Sequence, residues 1–297
     1  MYTIGVDIGG TNARIALLDE NFNIIKKTSL ETKDNDFDFL IDSIADHING
    51  IDEKGLAKHI GVCSPGPLDK EKGMILDAPN LPNWAYKPFI NILEKKTKRK
   101  IIYTNDANAA AISQAINDQS DCLVFMTVST GVGGGIVYKG KLLEGKRSYA
   151  GEFGMMIIAD EKRTSSKLYQ GSLESLCSGT ALALEASKLY KKDITSKEVF
   201  ERYRQKEDIA IIIIDKWVEH FSRAIANIMQ TIEPDVFYIG GSVVLNNPWL
   251  LDLVKSKVKD KVYEGLRESI DLRIAKYGDD AGIVGTAYNA YINSEEG

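Results

Sequence analysis

The chain has 297 residues, of which 44% are hydrophobic and 27% are charged, a composition typical of a globular protein long enough for two lobes. Its formal net charge of -5 argues against the basic face that nucleic-acid phosphates require, so we expect a small-molecule partner and no nucleic acid. The longest apolar run, 209–214, is too short to span a bilayer, no leader pattern precedes Tyr2, and three dispersed cysteines are typical of reduced thiols, so a cytoplasmic protein without membrane contact is predicted.

The first half of the sequence opens with a glycine-rich β-hairpin. Residues 2–8 predict a strand, Gly9 and Gly10 turn the chain, and 13–18 predict the returning strand. Apolar periodicity predicts the elements that follow: helices over 37–47 and 87–98, strands over 60–63 and 101–103, and a helix that begins at Asn105 and Asp106 and runs to 116. Strand, loop and helix therefore alternate through the first lobe.

The second half repeats this opening in outline. Strands are predicted over 122–128 and 135–138, with a glycine turn between them. The later elements are predicted helices over 179–190, 209–232 and 281–292 and a strand over 236–239. The duplication predicts two sheet units of the kind a two-lobed phosphate clamp needs, with residues 1–117 and 281–297 in a smaller lobe and 118–280 in a larger one.

The two glycine turns give the first chemical signal. In the first, Asp7 could hold hydrated Mg²⁺, and Gly9 to Asn12 offer bare amides at positive φ together with the neutral donors Thr11 and Asn12. An ordinary tight hairpin accounts for the same residues. In the second, four glycines occupy five positions over 131–135, which favours close approach of the backbone to a ligand. Both turns lead into strands, so neither is a P-loop or a dinucleotide fingerprint.

Several polar residues stand at positions suited to a sugar and its phosphorylation. Asp106 at a helix start would be kept ionised by the first-turn amides, ready to accept a proton, although a simple helix cap explains it as well. Glu152, Glu174 and Asn80 carry oxygens or amides that bind hydroxyl groups, and each is also compatible with a solvated or capping role. The pair Gly240-Gly241 after a strand suits either a nucleoside or a plain turn.

Together these segments resemble the ROK family (repressors, open reading frames and kinases) of sugar kinases and related regulators. The matching segments, in the family's order, are 7–12, 65–69, 80–84, 105–108, 130–135, 151–154, 173–180, 239–241 and 280–285. The resemblance implies an α/β fold of two actin-like ATPase (ribonuclease H-like) lobes with a cleft between them, and a homodimer. It implies ATP and Mg²⁺ as cofactors and Asp106 as general base.

The resemblance also assigns the remaining site residues. The residues it places around the sugar are Asn80, Asn105, Asp106, Glu152 and Glu174. The residues it places at the ATP phosphates, with Mg²⁺ near Asp7, are Asp7, Gly9, Gly10, Thr11, Asn12, Thr130, Gly131 and Gly133, and Gly240 and Gly241 would face the nucleoside.

The chain departs from the family at its zinc motif. Many members bind zinc through a histidine and three cysteines, but here the histidine position is Met155, the last cysteine position is Ser172, and the polar loop 161–170 has no cysteine. His220 lies far from this loop along the sequence, so we predict no zinc. An apolar Met155 beside the sugar favours a β-glucoside kinase acting on cellobiose-like substrates, unless Met155 is a core residue under a rebuilt loop.

The expected activity is ATP-dependent transfer of phosphate to a hexose 6-hydroxyl. Glucokinase, or a kinase for fructose, mannose or N-acetylmannosamine, is the alternative to the β-glucoside kinase. A non-catalytic sugar sensor is a further alternative, which the intact Asp106 and glycine turns disfavour. Repressors of the family carry a helix-turn-helix before the first phosphate strand, whereas that strand begins here at Tyr2.

Overall fold

The computed structural model describes residues 1–32, 36–77, 81–161 and 168–294. Asn80 and most of the predicted loop 161–170 lie outside the described residues. The strands are β1 Tyr2–Ile8, β2 Asn12–Leu18, β3 Ile24–Glu31, β4 Ala57–Ser64, β5 Leu68–Asp69, β6 Met74–Ile75, β7 Lys100–Asn105, β8 Cys122–Val128, β9 Val132–Tyr138, β10 Lys141–Leu142, β11 Val236–Gly240 and β12 Leu272–Ile274. The α-helices are α1 Phe37–Ile51, α2 Phe89–Thr97, α3 Asp106–Gln114, α4 Leu173–Cys177, α5 Gly179–Tyr190, α6 Ser196–Arg204, α7 Asp208–Ile232, α8 Ser242–Leu245, α9 Leu250–Lys259 and α10 Ala281–Ser294. Short 3₁₀ turns cover Pro82–Trp84, Phe153–Met155, Glu264–Ser269 and Gly278–Asp280.

The chain forms two compact units. The first comprises 1–118, 140–150 and 277–297, and the second comprises 119–139 and 151–276. The segment 140–150, which the sequence analysis assigned to the larger lobe, packs with the first unit, where both Glu144 carboxylate oxygens accept hydrogen bonds of 2.7 Å from Lys70 Nζ.

Each unit is built on a sheet with the same strand order. In the first unit the order is β3-β2-β1-β4-β7, with β1 antiparallel to β2 and parallel to β4. In the second unit the order β9-β8-β11-β12 repeats this arrangement, with β8 antiparallel to β9 and parallel to β11. The duplication predicted from the two glycine hairpins is confirmed. In both sheets the hairpin strand is central, so its apolar residues are buried on both faces.

Helix α10 packs on the first sheet through bare backbone. A Cβ at Gly61 of β4 would lie 1.9 Å from the Thr286 carbonyl oxygen. A Cβ at Gly285 of α10 would lie 1.7 Å from the Ala109 carbonyl oxygen of α3. Because no side chain fits at either contact, α10 lies directly against β4 and α3 and fixes the helix that begins at Asp106.

The second unit is organised around the long helix α7, whose apolar face is buried. Trp217 and Phe221 on this face stack with ring centroids 4.9 Å apart. Trp217 Nε1 donates a 2.7 Å hydrogen bond to the Cys177 carbonyl oxygen at the end of α4. Helix α7 therefore supports the short helix that carries Glu174.

The predicted helices and strands are confirmed, with small shifts at their ends. The structure also contains elements that the sequence analysis did not predict. Strand β3 was missed because it is an edge strand whose charged and polar residues resemble a loop. Helix α6 was also missed, although Thr195 and Glu198 form a capping box that the sequence displays. No helix among the described residues is long and apolar enough to cross a bilayer.

Candidate active site

The first glycine turn is closed by backbone hydrogen bonds. The Gly9 amide donates to the Asn12 carbonyl oxygen at 2.9 Å, and Thr32 donates from its hydroxyl to the Gly9 carbonyl oxygen at 2.6 Å and from its amide to that of Thr11 at 2.9 Å. Gly9 does not adopt the predicted positive φ; a Cβ here would instead approach the Asn12 carbonyl oxygen to 3.2 Å. Glycine at this position permits a tight turn between β1 and β2.

Asp7 is a desolvated carboxylate near the end of β1. Burial raises the pKa of Asp7 above its ordinary value, while the guanidinium of Arg14 acts in the opposite direction. Cys63 Sγ lies 3.5 Å from Asp7 Oδ1, and a Cβ at Gly282 would lie 3.2 Å from the same carboxylate. A carboxylate that is costly to ionise gains from a cation partner, so its chemistry fits hydrated Mg²⁺.

Asn105 and Asp106 occupy different positions at the start of α3. Asn105 is the N-cap, because its Oδ1 accepts a 2.9 Å hydrogen bond from the Asn108 amide. Asp106 is the first helical residue, exposed to solvent, and its Oδ1 accepts a 2.7 Å hydrogen bond from the adjacent Ala107 amide. The explanation of Asp106 as the helix cap is therefore wrong.

The second glycine turn lies against the start of α5 and the end of β11. The Ser129 carbonyl oxygen accepts from the Gly179 amide at 2.7 Å, and the Thr130 carbonyl oxygen accepts from the Thr180 hydroxyl at 2.8 Å. A Cβ at Gly241, whose φ is +84°, would lie 2.3 Å from the Val128 carbonyl oxygen. The structure therefore brings the end of β8, two residues before Thr130, against Gly241, while Gly133 lies within β9 opposite Thr127.

Glu174 binds the backbone of the same turn. It is the second residue of α4, and its Oε2 accepts a 2.8 Å hydrogen bond from the Val132 amide. A Cβ at Gly131 would lie 2.8 Å from that oxygen, and a Cβ at Gly134 would lie 2.5 Å from the ring of Phe153. Packing within the protein therefore requires glycine at both positions. The sequence analysis attributed Gly131 and Gly134 to the close approach of a ligand.

The charge of Glu174 acts on Glu152. The residue Glu152 is exposed, yet partial desolvation of its carboxyl group and then the charge of Glu174 raise its pKa. Two carboxylates with adjacent apolar groups offer several hydrogen-bond acceptors to a polyhydroxylated ligand. The structure thus brings together two of the predicted sugar contacts in the second unit, while Asn105 and Asp106 adjoin in the first.

The structure excludes one alternative for Met155 and corrects the setting of His220. Met155 is 38% exposed, so it is not a core residue. His220 is buried on α7 with its Nε2 2.9 Å from Glu161 Oε1, so it is not distant from the loop as the sequence spacing suggested. Among the described residues, no group of three or more His, Cys, Asp or Glu side chains is arranged to hold a metal ion.

Glu144 is a residue near the candidate base that sequence reasoning missed. Besides its two hydrogen bonds from Lys70, its Oε1 accepts a 3.3 Å hydrogen bond from the Thr104 hydroxyl, next to Asn105. Because Lys70 and Glu144 are 74 residues apart, no local pattern pairs them.

Comparison with known proteins gives one family. The model described as the ROK family matches residues 3–291. A curated glucokinase from Thermotoga maritima is 30% identical, with 96% of this chain and 95% of the relative covered. A curated N-acetylmannosamine kinase from Haemophilus influenzae is 29% identical over 97% of this chain and 95% of its own.

Solved structures give the same result. A ROK hexokinase from Thermus thermophilus is 27% identical, covers both chains fully and has a TM-score of 0.92. A ROK family glucokinase from Streptomyces griseus, solved in complex with glucose and AMPPNP, is 26% identical, with 98% of this chain and all of the other covered and a TM-score of 0.78. The fold is that of the two-lobed actin-like ATPases, as the sequence predicted.

Proposed function

The chain belongs to the ROK family and is a sugar kinase, and from that premise we propose that it transfers the γ-phosphate of ATP to the 6-hydroxyl of a free hexose, with glucose as the first candidate. One observation carries the mechanism: Asp106 is exposed at the first turn of α3, while its neighbour Asn105 performs the capping. The cap of α3 therefore does not use the Asp106 carboxylate.

Asp106 is proposed as the general base. Its position in the first turn of α3 places the carboxylate in the positive end of the helix dipole, which favours the ionised form that accepts a proton. In phosphoryl transfer, such a base removes the proton of the attacking hydroxyl, and positioning supplies most of the remaining rate enhancement.

The nucleotide phosphates are assigned to the two glycine turns. Each turn is held by hydrogen bonds to its carbonyl oxygens from neutral hydroxyl and backbone amide groups. The turns are Gly9 to Asn12 and Thr130-Gly131. Asp7 would hold Mg²⁺ through water, and the cation would neutralise charge on the phosphates. Gly240 and Gly241 would face the nucleoside, since Gly241 lies on the Val128 carbonyl at the start of the second turn.

The sugar hydroxyls are assigned to Glu152, Glu174 and Asn105, with Asn80 retained as a sequence prediction. Glu174 connects the two ligands, because its Oε2 binds Val132 in the proposed phosphate turn while its charge acts on Glu152. A sugar that displaced water from these carboxylates would be held by acceptors already fixed by the protein.

β-Glucosides are a second candidate substrate. The observation that favours them is the exposed side chain of Met155. The Met155 amide donates to the Glu152 carbonyl oxygen at 3.1 Å, so this residue lies beside a proposed sugar contact. An apolar surface there suits an aglycone. The curated relatives described above are named for free hexoses, which is why glucose ranks first.

An ADP-release screen tests the proposal. We expect MgATP-dependent turnover of glucose, with weaker turnover of mannose, fructose, N-acetylmannosamine, cellobiose and aryl β-glucosides, and glucose turnover lowered ~10²- to 10⁴-fold in Asp106→Asn. Faster turnover of a β-glucoside than of glucose would select the second candidate. A wild-type protein that binds sugar without releasing ADP would identify a sensor and reject the kinase.

A further inference from the structure

A buried histidine on α7 contacts the segment that leads away from the proposed sugar carboxylates. His220 is 3% exposed, and its Nε2 lies 2.9 Å from Oε1 of Glu161, whose side chain is 37% exposed. Since a carboxylate oxygen only accepts here, the histidine Nε2–H donates. A hydrogen bond between a buried ring and a carboxylate at the surface is a strong, charge-assisted anchor.

Glu161 lies two residues after the first of two paired segments, 156–159 and 171–173, which we term the clip and which form an isolated antiparallel bridge between Ile157 and Ser172. The Leu173 amide donates to the Met156 carbonyl oxygen at 2.9 Å, and the Ile158 amide donates to that of Gly171 at 2.9 Å. Gly171 has φ +71°, and a Cβ there would lie 1.8 Å from the Ala159 carbonyl oxygen. The clip is therefore a tight, specific pairing, and the end near Ala159 leads to Glu161, which His220 contacts.

The other end of the clip sets the position of Glu174. Ser172 is the N-cap of α4, and its hydroxyl oxygen accepts from the Ser175 amide at 3.4 Å. Two residues after this cap, Glu174 binds the Val132 amide. A displacement of the clip would therefore move the start of α4 and the carboxylate on it.

Helix α7 holds this part of the second unit at two points, one turn apart. Trp217 Nε1 binds the last residue of α4, Cys177, and His220 binds Glu161 at the far end of the clip. We infer that His220 and Glu161 are positioning residues, which fix the clip on α7 and thereby hold Glu174 for the sugar. The kinetic part of this inference rests on the proposed function, whereas its structural part does not.

Glu161→Ala tests the inference, because this half-exposed side chain can be removed without opening a cavity. We expect the sugar KM to rise roughly 3- to 10-fold, the range that one lost hydrogen bond accounts for, with kcat unchanged. Amide hydrogen exchange is expected to speed up at Ile158 and Leu173, which donate the hydrogen bonds of the clip, and to stay unchanged along α7. Glu161→Gln and His220→Gln keep an acceptor and a donor in place and should restore both readouts.

Glu219→Ala is the matched control, since Glu219 lies on α7 beside His220 and pairs with Lys261 and Arg223 away from the clip. It should change neither the sugar KM nor exchange in the clip. An unchanged sugar KM, unchanged exchange, or an equal effect of Glu219→Ala would overturn the inference. If the wild type phosphorylates no sugar, the proposed function fails, and amide exchange in Glu161→Ala still decides whether this pair holds the clip.

Discussion

At the residue scale, two adjacent polar residues at the start of α3 have different physical tasks. The side chain of Asn105 satisfies the helix terminus, and Asp106 stands one residue later in the first turn. Sequence alone made both residues candidates for the cap. The backbone conformation decides between them, because only the residue in extended conformation can turn its side chain back onto the third amide.

Asp106→Asn is expected to lower kcat by ~10²- to 10⁴-fold, since the base is removed while the shape is kept. Its melting temperature should match that of the wild type, because the exposed amide oxygen still accepts from Ala107. Asn105→Ala is the contrasting variant, with an expected loss of about 1 kcal/mol in the free energy of unfolding. Near-normal turnover in Asp106→Asn, or equal destabilisation of both variants, would contradict this assignment.

The ionised carboxylate of Asp7 lowers the free energy of unfolding. Burial raises its pKa in the folded protein above the ordinary value of 3.8, so the folded state binds the proton more tightly than the unfolded state. The free energy of unfolding therefore falls as pH rises through this interval, and the penalty is complete above the raised pKa.

Asp7→Asn removes that penalty, so the ligand-free variant should be more stable than the wild type near neutral pH. The difference should shrink as pH falls and disappear below 3.8, where both states of the wild type are protonated. Urea unfolding at a series of pH values measures it, and MgATP-dependent activity should be lost in the same variant. A variant less stable than the wild type at neutral pH would show that Asp7 is a structural group.

At the element scale, packing against α10 fixes the position of α3, the helix that carries Asp106. Helix α10 contacts α3 and the first sheet through backbone at Gly285 and Gly61. Contacts of this kind leave no room for adjustment by side-chain rotation, so the start of α3 is fixed relative to β4.

Gly285→Ala introduces a Cβ where the Ala109 carbonyl oxygen is 1.7 Å away, so α10 or α3 must move. We expect a loss of about 1 to 3 kcal/mol or more in the free energy of unfolding, together with reduced kcat. Gly50→Ala is the matched helical control, because nothing lies within 4 Å of its Cβ, and it should stabilise α1 by roughly 0.5 to 1 kcal/mol. Equal effects of the two substitutions would show that α10 packs loosely.

At the scale of the whole molecule, the chain contains two duplicated sheets, and the residues that the sequence analysis compared with the zinc motif have other structural roles. Ser172, which the resemblance sets at the last cysteine of the zinc motif, caps α4, and Met155, which the resemblance sets at the histidine, is partly exposed. Both side chains are poor ligands for zinc. In the chain as it stands, helix capping and the contact of Glu161 with His220 organise this region.

The purified, untagged protein is therefore expected to contain no stoichiometric zinc by elemental analysis. Dialysis against EDTA should abolish kinase activity only until Mg²⁺ is restored, because the cation is needed for phosphoryl transfer and not for the fold. Activity that returns only after zinc is added would refute this prediction. The melting temperature before and after chelation should agree, which separates a structural metal from a catalytic one.

The sequence by itself determined the two glycine hairpins, the duplicated sheets and the helix that begins at Asp106. These features depend on turn residues and on apolar periodicity, which act between neighbours along the chain. Only the tertiary structure decided that Glu174 binds Val132, that His220 binds Glu161 and that Lys70 binds Glu144, across 42, 59 and 74 residues. Such pairs form because packing of whole elements brings distant residues together, and no local pattern encodes that proximity. For the same reason Gly131 suggested a ligand in the sequence and proved to accommodate a carboxylate of the protein itself.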